Sequence, residues 1–364
     1  MLSLIRLLQA KHAICPIVIV PFNQGPLLES LREQDIPYYV VPSFNWVSTN
    51  METQCSRYRC FKWNVKNILR VFEIKNTLKR LQIDLIYSNS VTTNIGAILA
   101  LVLNIPHLWH FRESIQQFGL RPTMPRLIAK LVIYIHTNKR FILISDFMVH
   151  EYQKLLPVSK VRRIYNGVSL PLDCGTRFYN RINNTLQVVC VGVLCPQKNQ
   201  IELLKAIVKL KERNYQVHAH FIGVDTLGYM KKMTKYIAAH NLGDMVTIHG
   251  HSNNVFEVLR VCNLGIVTAK DEAFGRVTIE YMLMRMPVVA ARSGANEELI
   301  NNGSTGTIYH LGNVSELAES IQTYIDNPNL LEEQGKVAYA KAVNEFSAEK
   351  NAEFIYDEML NILQ

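Results

Sequence analysis

Residues 263–280 read Asn263-Leu264-Gly265-Ile266-Val267-Thr268-Ala269-Lys270-Asp271-Glu272-Ala273-Phe274-Gly275-Arg276-Val277-Thr278-Ile279-Glu280. Asn263 to Ala269 reads as a buried strand, and Val277 to Leu283 carries apolar residues at helical spacing. The stretch therefore passes from a strand through a short loop into a helix. Two carboxylates, Glu272 and Glu280, stand with seven residues between them, one in the loop and one in the first turns of the helix. A helix start favours anions and offers free backbone N–H groups, which suits a phosphorylated ligand. Glu280 is then placed to accept hydrogen bonds from ribose hydroxyls, and Glu272 from the hydroxyls of a second sugar. Acidic residues are common in the opening turn of any helix, so this spacing does not by itself decide a function.

The same alternation runs outward in both directions. Strand-like runs are Ile14–Val20, Tyr38–Val41, Leu85–Tyr87, His107–His110, Phe141–Ile144 and Arg163–Tyr165 in the first half. In the second they are Val188–Val193, Val217–Ile222, Val246–His249, Leu264–Val267, Val288–Ala290 and Gly306–Tyr309. Helical segments separate them and the loops are short, which predicts an α/β chain of two Rossmann-like domains with parallel sheets. Asn166-Gly167 is a turn signal and Asp173 to Thr185 is polar and irregular, so the domain junction is expected there. The expected division is 1–170, 171–345 and a closing helix over 346–364.

With 364 residues and 48% apolar content, the chain can fill two cores of ordinary size. It has no run of roughly 18 uninterrupted apolar residues, and its opening lacks the order of a secretion signal. A soluble, cytoplasmic protein is expected. Seven cysteines, an odd number spread thinly, suit a reducing compartment. Cys55 with Cys60 and Cys190 with Cys195 are each five apart, but no histidine cluster accompanies them.

The net charge of +9 is unevenly distributed: residues 1–170 hold 21 Lys and Arg against 9 Asp and Glu, and residues 171–364 hold 18 against 21. A basic first half suggests an anionic partner. Nucleic acid is not expected, because no recognisable binding module accompanies the charge. The densest segment is Arg57 to Arg80, where Arg59, Lys62, Lys66 and Arg70 fall on one helical face and Phe61, Val65, Ile68 and Phe72 on another. A solvated helix face and a peripheral membrane-docking helix both fit that pattern.

Glu272-Ala273-Phe274-Gly275, Glu280, Met286-Pro287-Val288-Val289-Ala290 and Ser293-Gly294-Ala295-Asn296-Glu297-Glu298 together resemble the donor site of family 4 glycosyltransferases of the GT-B fold. The resemblance implies two domains facing each other across a cleft and a nucleotide-sugar donor bound by the second. It also implies transfer with retention to a glycan or lipid-linked acceptor, in surface polysaccharide assembly. Phe274, Gly275, Arg276 and Gly294 enter the candidate donor site with the two glutamates. Leu194-Cys195-Pro196-Gln197-Lys198-Asn199 follows a strand and precedes a helix; Gly192 permits close backbone approach and Lys198 can place an ammonium on a phosphate. The family pattern there is Gly-Arg-Leu-x-x-x-Lys, and this chain has Val193 in place of the Arg.

His110-Phe111-Arg112-Glu113 resembles the family's His-x-Arg-Glu run, whose His lies beside the donor sugar, so His110 and Arg112 are candidates in the first domain. A core histidine at a strand end is the alternative. The closing helix is implied to return to the first domain. Family members begin with a strand and a Gly-Gly loop, whereas Met1 here falls within the helix that follows them. The first sheet is therefore expected to lack an inner strand. No Asp-x-Asp motif occurs, so neither a metal nor a cofactor is expected. A sugar-nucleotide epimerase, a phosphorylase or an inactive donor-binding scaffold of the same fold are the rival readings.

Overall fold

The computed structural model describes residues 1–48, 57–134, 138–169, 184–226, 228–252 and 254–364, so most of the expected junction 173–185, as well as Cys55 and Cys174, lies outside the described residues. The chain forms two compact units, Met1–Gly167 with Ala348–Gln364, and Val168–Ser347. Among the described residues no helix is long and apolar enough to cross a membrane.

In the first unit the elements are α1 (Leu2–Lys11), β1 (Val18–Val20), α2 (Pro26–Glu33), β2 (Tyr38–Val40), β3 (Val47–Ser48), α3 (Arg57–Arg80), β4 (Ile86–Ser88) and α4 (Ile95–Leu103). They continue with β5 (His107–Phe111), α5 (Ile115–Phe118), β6 (Arg121–Pro122), α6 (Arg126–Tyr134), β7 (Lys139–Leu143), α7 (Asp146–Tyr152) and β8 (Val161–Arg163). Strands β4, β5, β7 and β8 form a parallel sheet in that order, and β1 pairs in parallel with β2 as a separate group. The wholly buried β5 lies inside the larger sheet, which explains its unbroken run of large residues. Leu4 and Leu8 of α1 pack with Leu108 and Ile142 of the sheet and Ile164 just after β8, joined by Ala352 and Ile355 from the closing helix. Val71, Ile74 and Leu78 of α3 pack with Ile95 and Leu99 of α4 in a second cluster.

The second unit contains β9 (Leu186–Val191), α8 (Gln200–Glu212), β10 (Val217–Ile222), α9 (Tyr229–Ala239), β11 (Val246–Gly250), α10 (Val255–Val261) and β12 (Leu264–Val267). It continues with α11 (Arg276–Leu283), β13 (Val288–Ala291), α12 (Asn296–Leu299), β14 (Gly306–Tyr309), α13 (Val314–Asp326) and α14 (Asn329–Phe346). The six strands are all parallel, in the order β11-β10-β9-β12-β13-β14. From β9 the chain builds outward to one side through β10 and β11, then crosses to the other side at β12. That reversal opens a crevice beyond the carboxyl ends of β9 and β12, the general ligand position in such sheets. Gly265 on β12 lets α11 lie close, because a Cβ there would come within 2.3 Å of the Tyr281 ring. Tyr281 also accepts a hydrogen bond from the Val191 amide at 2.7 Å.

The last helix, α15 (Ala348–Leu363), belongs to the first unit. Lys11 pairs with Glu353 at 2.6 Å, and the nearly buried Glu358 meets Arg140 at 3.3 Å and Arg162 at 3.2 Å. The expected strand Val188–Val193 ends at Val191. The chain leaves the sheet at Gly192, whose carbonyl oxygen would lie 1.9 Å from a Cβ on Gly223. The expected strand Arg163–Tyr165 is instead Val161–Arg163, in register with Phe141–Leu143.

Candidate functional site

The crevice of the second unit is built from two loops. The loop after β9 carries Lys198, and the loop after β12 carries Glu272 and leads into α11. They are tied together: the Thr268 hydroxyl donates to the Lys198 carbonyl at 2.7 Å, and the Lys270 amide to the Gln197 carbonyl at 2.8 Å. A third turn supports the second loop from below. The Ala295 amide donates to the Glu272 carbonyl at 2.9 Å and the Asp271 amide to the Ser293 hydroxyl at 2.8 Å. Gly294, at φ +58, sits so close that a Cβ would lie 2.2 Å from the Glu272 carbonyl oxygen. Its role is to shape the loop; a side chain there would displace Glu272.

The cavity of about 110 Å³ enclosed by these loops is lined by Lys198, Thr268, Glu272, Gly275, Arg276 and Thr278 among others. Lys198 Nζ and a Glu272 carboxylate oxygen form an ion pair, with only 26% and 14% of their side chains exposed. Gly275 caps α11 at φ +83 and accepts the Thr278 amide at 2.9 Å. One turn on, Glu280 pairs with Arg276, Nε to Oε1, at 3.2 Å. Burial raises the Glu280 pKa above the ordinary carboxylate value, opposed by the Arg276 guanidinium. The structure thus gathers Lys198, Glu272, Gly275 and Arg276 around one cavity, with Glu280 beside Arg276. Both acids are paired, where the sequence suggested free carboxylates.

Gly192 is next to them, since a Cβ on it would lie 3.7 Å from the Lys198 side chain. Phe274 lies in the same loop as Glu272. Its side chain is 2% exposed and meets the Phe346 ring edge to face at 6.0 Å, so it anchors the loop to the core. Val193 is 41% exposed at the mouth of the first loop. Thr268 was missed, because a lone threonine carries no sequence signal for a contact 70 residues away; Thr278, which also lines the cavity, reads as an ordinary residue of the first helical turn.

His110 and Arg112 lie at the carboxyl end of β5 in the first unit. His110 is fully buried, and its Nδ1 is 2.5 Å from the Tyr87 hydroxyl and 3.5 Å from Arg112 Nη2. Burial raises the Tyr87 pKa, so its hydroxyl keeps its proton; the guanidinium can only donate. Nδ1 is therefore the acceptor and the ring proton sits on Nε2. Burial, then the charge of Arg112, holds the His110 pKa well below its usual value. The result is a neutral imidazole whose Nε2 has no partner among the described residues. Arg112 is fixed by Asn89 at 2.8 Å and by Asn166. Glu113 accepts from the Ser90 hydroxyl at 2.6 Å and the Val91 amide at 3.0 Å, which fixes the loop after β4.

Two parallel α/β units, the second with a phosphate-suited crevice, define the GT-B class. The chain belongs to family 4 of the GT-B glycosyltransferases: the model of Glycosyltransferase Family 4 matches residues 17–171 and that of Glycosyl transferases group 1 matches residues 176–341. It is 27% identical over 280 residues, 75% of each chain, to an uncharacterized glycosyltransferase of Methanocaldococcus jannaschii. It is 26% identical over 171 residues to the lipopolysaccharide core biosynthesis mannosyltransferase LpcC of Rhizobium leguminosarum bv. viciae, a match spanning 46% of this chain and 49% of that protein. Among solved structures, a glycosyltransferase from Rickettsia africae superposes with a TM-score of 0.82 at 19% identity, covering 100% of this chain and 94% of that one. Anabaena HepE in complex with UDP-glucose gives 0.71 at 22% identity, covering 99% and 95%.

Proposed function

We propose that this glycosyltransferase moves a sugar from a nucleotide-sugar donor to a glycan or lipid-linked acceptor, with retention of anomeric configuration, in surface polysaccharide assembly. The observation that carries the donor reading is the crevice itself. Lys198, Glu272 and the N-terminus of α11 converge on one cavity, and Glu280 lies one turn beyond. A diphosphate entering there meets an ammonium and free helix-end amides, and Glu280 can accept from the ribose hydroxyls. The diphosphate displaces Glu272 from Lys198, which releases that carboxylate for the hydroxyls of the donor sugar. The UDP-glucose complex of HepE supports a nucleotide sugar as donor class.

In the proposed step the bond between the anomeric carbon and the leaving phosphate oxygen breaks on the face where the acceptor oxygen attacks. The acceptor proton passes to that phosphate oxygen. Lys198 and the α11 amides hold the developing negative charge in place of a metal ion. His110 Nε2–H, in the first unit, is a neutral hydrogen-bond donor available to a sugar hydroxyl. Incubation with a panel of nucleotide sugars and lipid-linked acceptors, followed by NMR of the product linkage, tests this. An α-linked product from an α-donor is expected, and an inverted linkage overturns retention.

A further inference from the structure

Two buried polar side chains in the first turn of α8 reach back into the loop that carries Lys198. Gln200 is fully buried, and its Nε2 donates to the Val193 carbonyl at 2.9 Å, which fixes the loop where it leaves β9. Glu202, also buried, holds the other end. One of its carboxylate oxygens accepts from Nδ2 of Asn199, the residue after Lys198, and the other accepts from the Gly312 amide at 2.7 Å. Gly312 lies 110 residues further on, in the loop after β14, so one carboxylate joins two loops at the carboxyl ends of the second sheet.

Asn199 starts the helix in an unusual way. An Asn at the N-cap ordinarily has extended backbone, and its side-chain oxygen accepts from an amide of the first turn. Here the side chain makes no capping bond and the backbone is left-handed, at φ 54 and ψ 35. Nor is this the reciprocal arrangement in which a Glu three residues on accepts from the cap amide. The Asn199 amide donates to the Cys195 carbonyl at 3.2 Å, and Glu202 takes the Asn199 side chain instead. Left-handed backbone and a forgone cap both cost stability. In return the main chain at Lys198 is held from both sides: its amide donates to the Cys195 carbonyl at 3.1 Å and its carbonyl accepts from Thr268.

We infer that Glu202 is a positioning residue for donor binding: by clamping Asn199 in the left-handed conformation it sets the direction from which the Lys198 side chain enters the crevice. The peptide between Lys198 and Asn199 is planar, so a change in the Asn199 φ turns that whole unit and carries the ammonium with it. A carboxylate with both oxygens engaged in a buried setting is a fixed post against such a turn. If Asn199 served only to start α8, the ordinary cap would do so at lower cost. The inference rests on the reading of Lys198 as the ammonium that meets the diphosphate, and its test separates the two.

The test is isothermal titration of the full chain with UDP and with inorganic pyrophosphate, in a double-mutant cycle of Glu202→Ala and Lys198→Ala. Glu202→Ala is expected to weaken binding about tenfold when Lys198 is present, and by less than about twofold when Lys198 is already replaced. Asn199→Gly keeps access to the left-handed backbone but removes the clamped amide, and is expected to repeat the loss. Glu202→Gln keeps an acceptor for Asn199 and is expected to recover most of the affinity. Circular dichroism melting of each variant checks the fold, and Asn199→Gly with Glu202→Gln carries the test if Glu202→Ala does not fold. Equal loss in both Lys198 backgrounds, or full affinity in Glu202→Ala or Asn199→Gly, overturns the inference and leaves the role of Lys198 standing. No binding by wild type, or undiminished binding by Lys198→Ala, overturns the donor reading and this inference with it.

Discussion

Lys198 Nζ and the Glu272 carboxylate neutralise each other inside the crevice of the second unit, the one ammonium expected to meet phosphate held by the one carboxylate expected to meet sugar. The arrangement makes the two roles separable. Glu272→Gln removes the competitor for Lys198 while leaving the ammonium. Calorimetry is expected to show nucleoside diphosphate binding unchanged or tighter. Transfer is expected to fall by about tenfold to a hundredfold, the effect of losing one charged hydrogen bond of roughly 1.5 to 3 kcal/mol. Equal loss of diphosphate affinity would place Glu272 on the phosphates instead.

The first unit offers a test of protonation. His110 accepts at Nδ1 from Tyr87, so ¹⁵N NMR at neutral pH is expected to show a neutral ring with its proton on Nε2. Tyr87→Phe removes that donor and should disturb the tautomer. It should also lower kcat more than it raises KM. A charged His110 near neutral pH, or an unaltered ring signal in Tyr87→Phe, contradicts this assignment.

Acid stability follows from a second histidine. His220 lies against His249 at 3.0 Å and Gln187 at 3.0 Å, and burial followed by His218 and His249 pulls its pKa down to about 4. An unfolded histidine titrates near ~6.5, so the unfolded chain takes up the proton first. The contribution of the neutral ring to stability is complete above that value and is lost as pH falls toward about 4. Thermal melts of wild type and His220→Gln at descending pH check it. The variant is expected to lose less on acidification, and identical pH dependence would remove the assignment.

Much of this arrangement was legible in the sequence, and the part that was not has physical causes. Lys198, Glu272 and Glu280 follow buried strands at a spacing that fixes their place in loop or helix, so local pattern was enough. Gly294 was visible as a glycine, but its partner, the Glu272 backbone 22 residues earlier, appears only once the chain is folded. The packing of Phe274 on Phe346 was not legible, because an aromatic in a site loop reads alike whether it faces a ligand or the core. Helix α3 carries apolar residues on two faces, and periodicity alone does not say which is buried. The paired strands β3 and β6 are two residues each, too short to show a period.

Val193 supplies a gain-of-function test. It is exposed beside Gly192, while Arg276, another base lining the cavity, is engaged with Glu280 at 3.2 Å. Val193→Arg is therefore expected to tighten diphosphate binding by roughly 1.5 to 3 kcal/mol. No gain on titration would mean that another base already serves the diphosphate.

The central claim is that the crevice of the second unit binds the nucleotide sugar through Lys198 and Glu280. Isothermal titration of Glu280→Ala against wild type, with the nucleotide sugar that supports transfer, tests it most directly. The variant is expected to melt as wild type does and to bind about 1 to 3 kcal/mol more weakly. Unchanged affinity in the folded variant would contradict the claim.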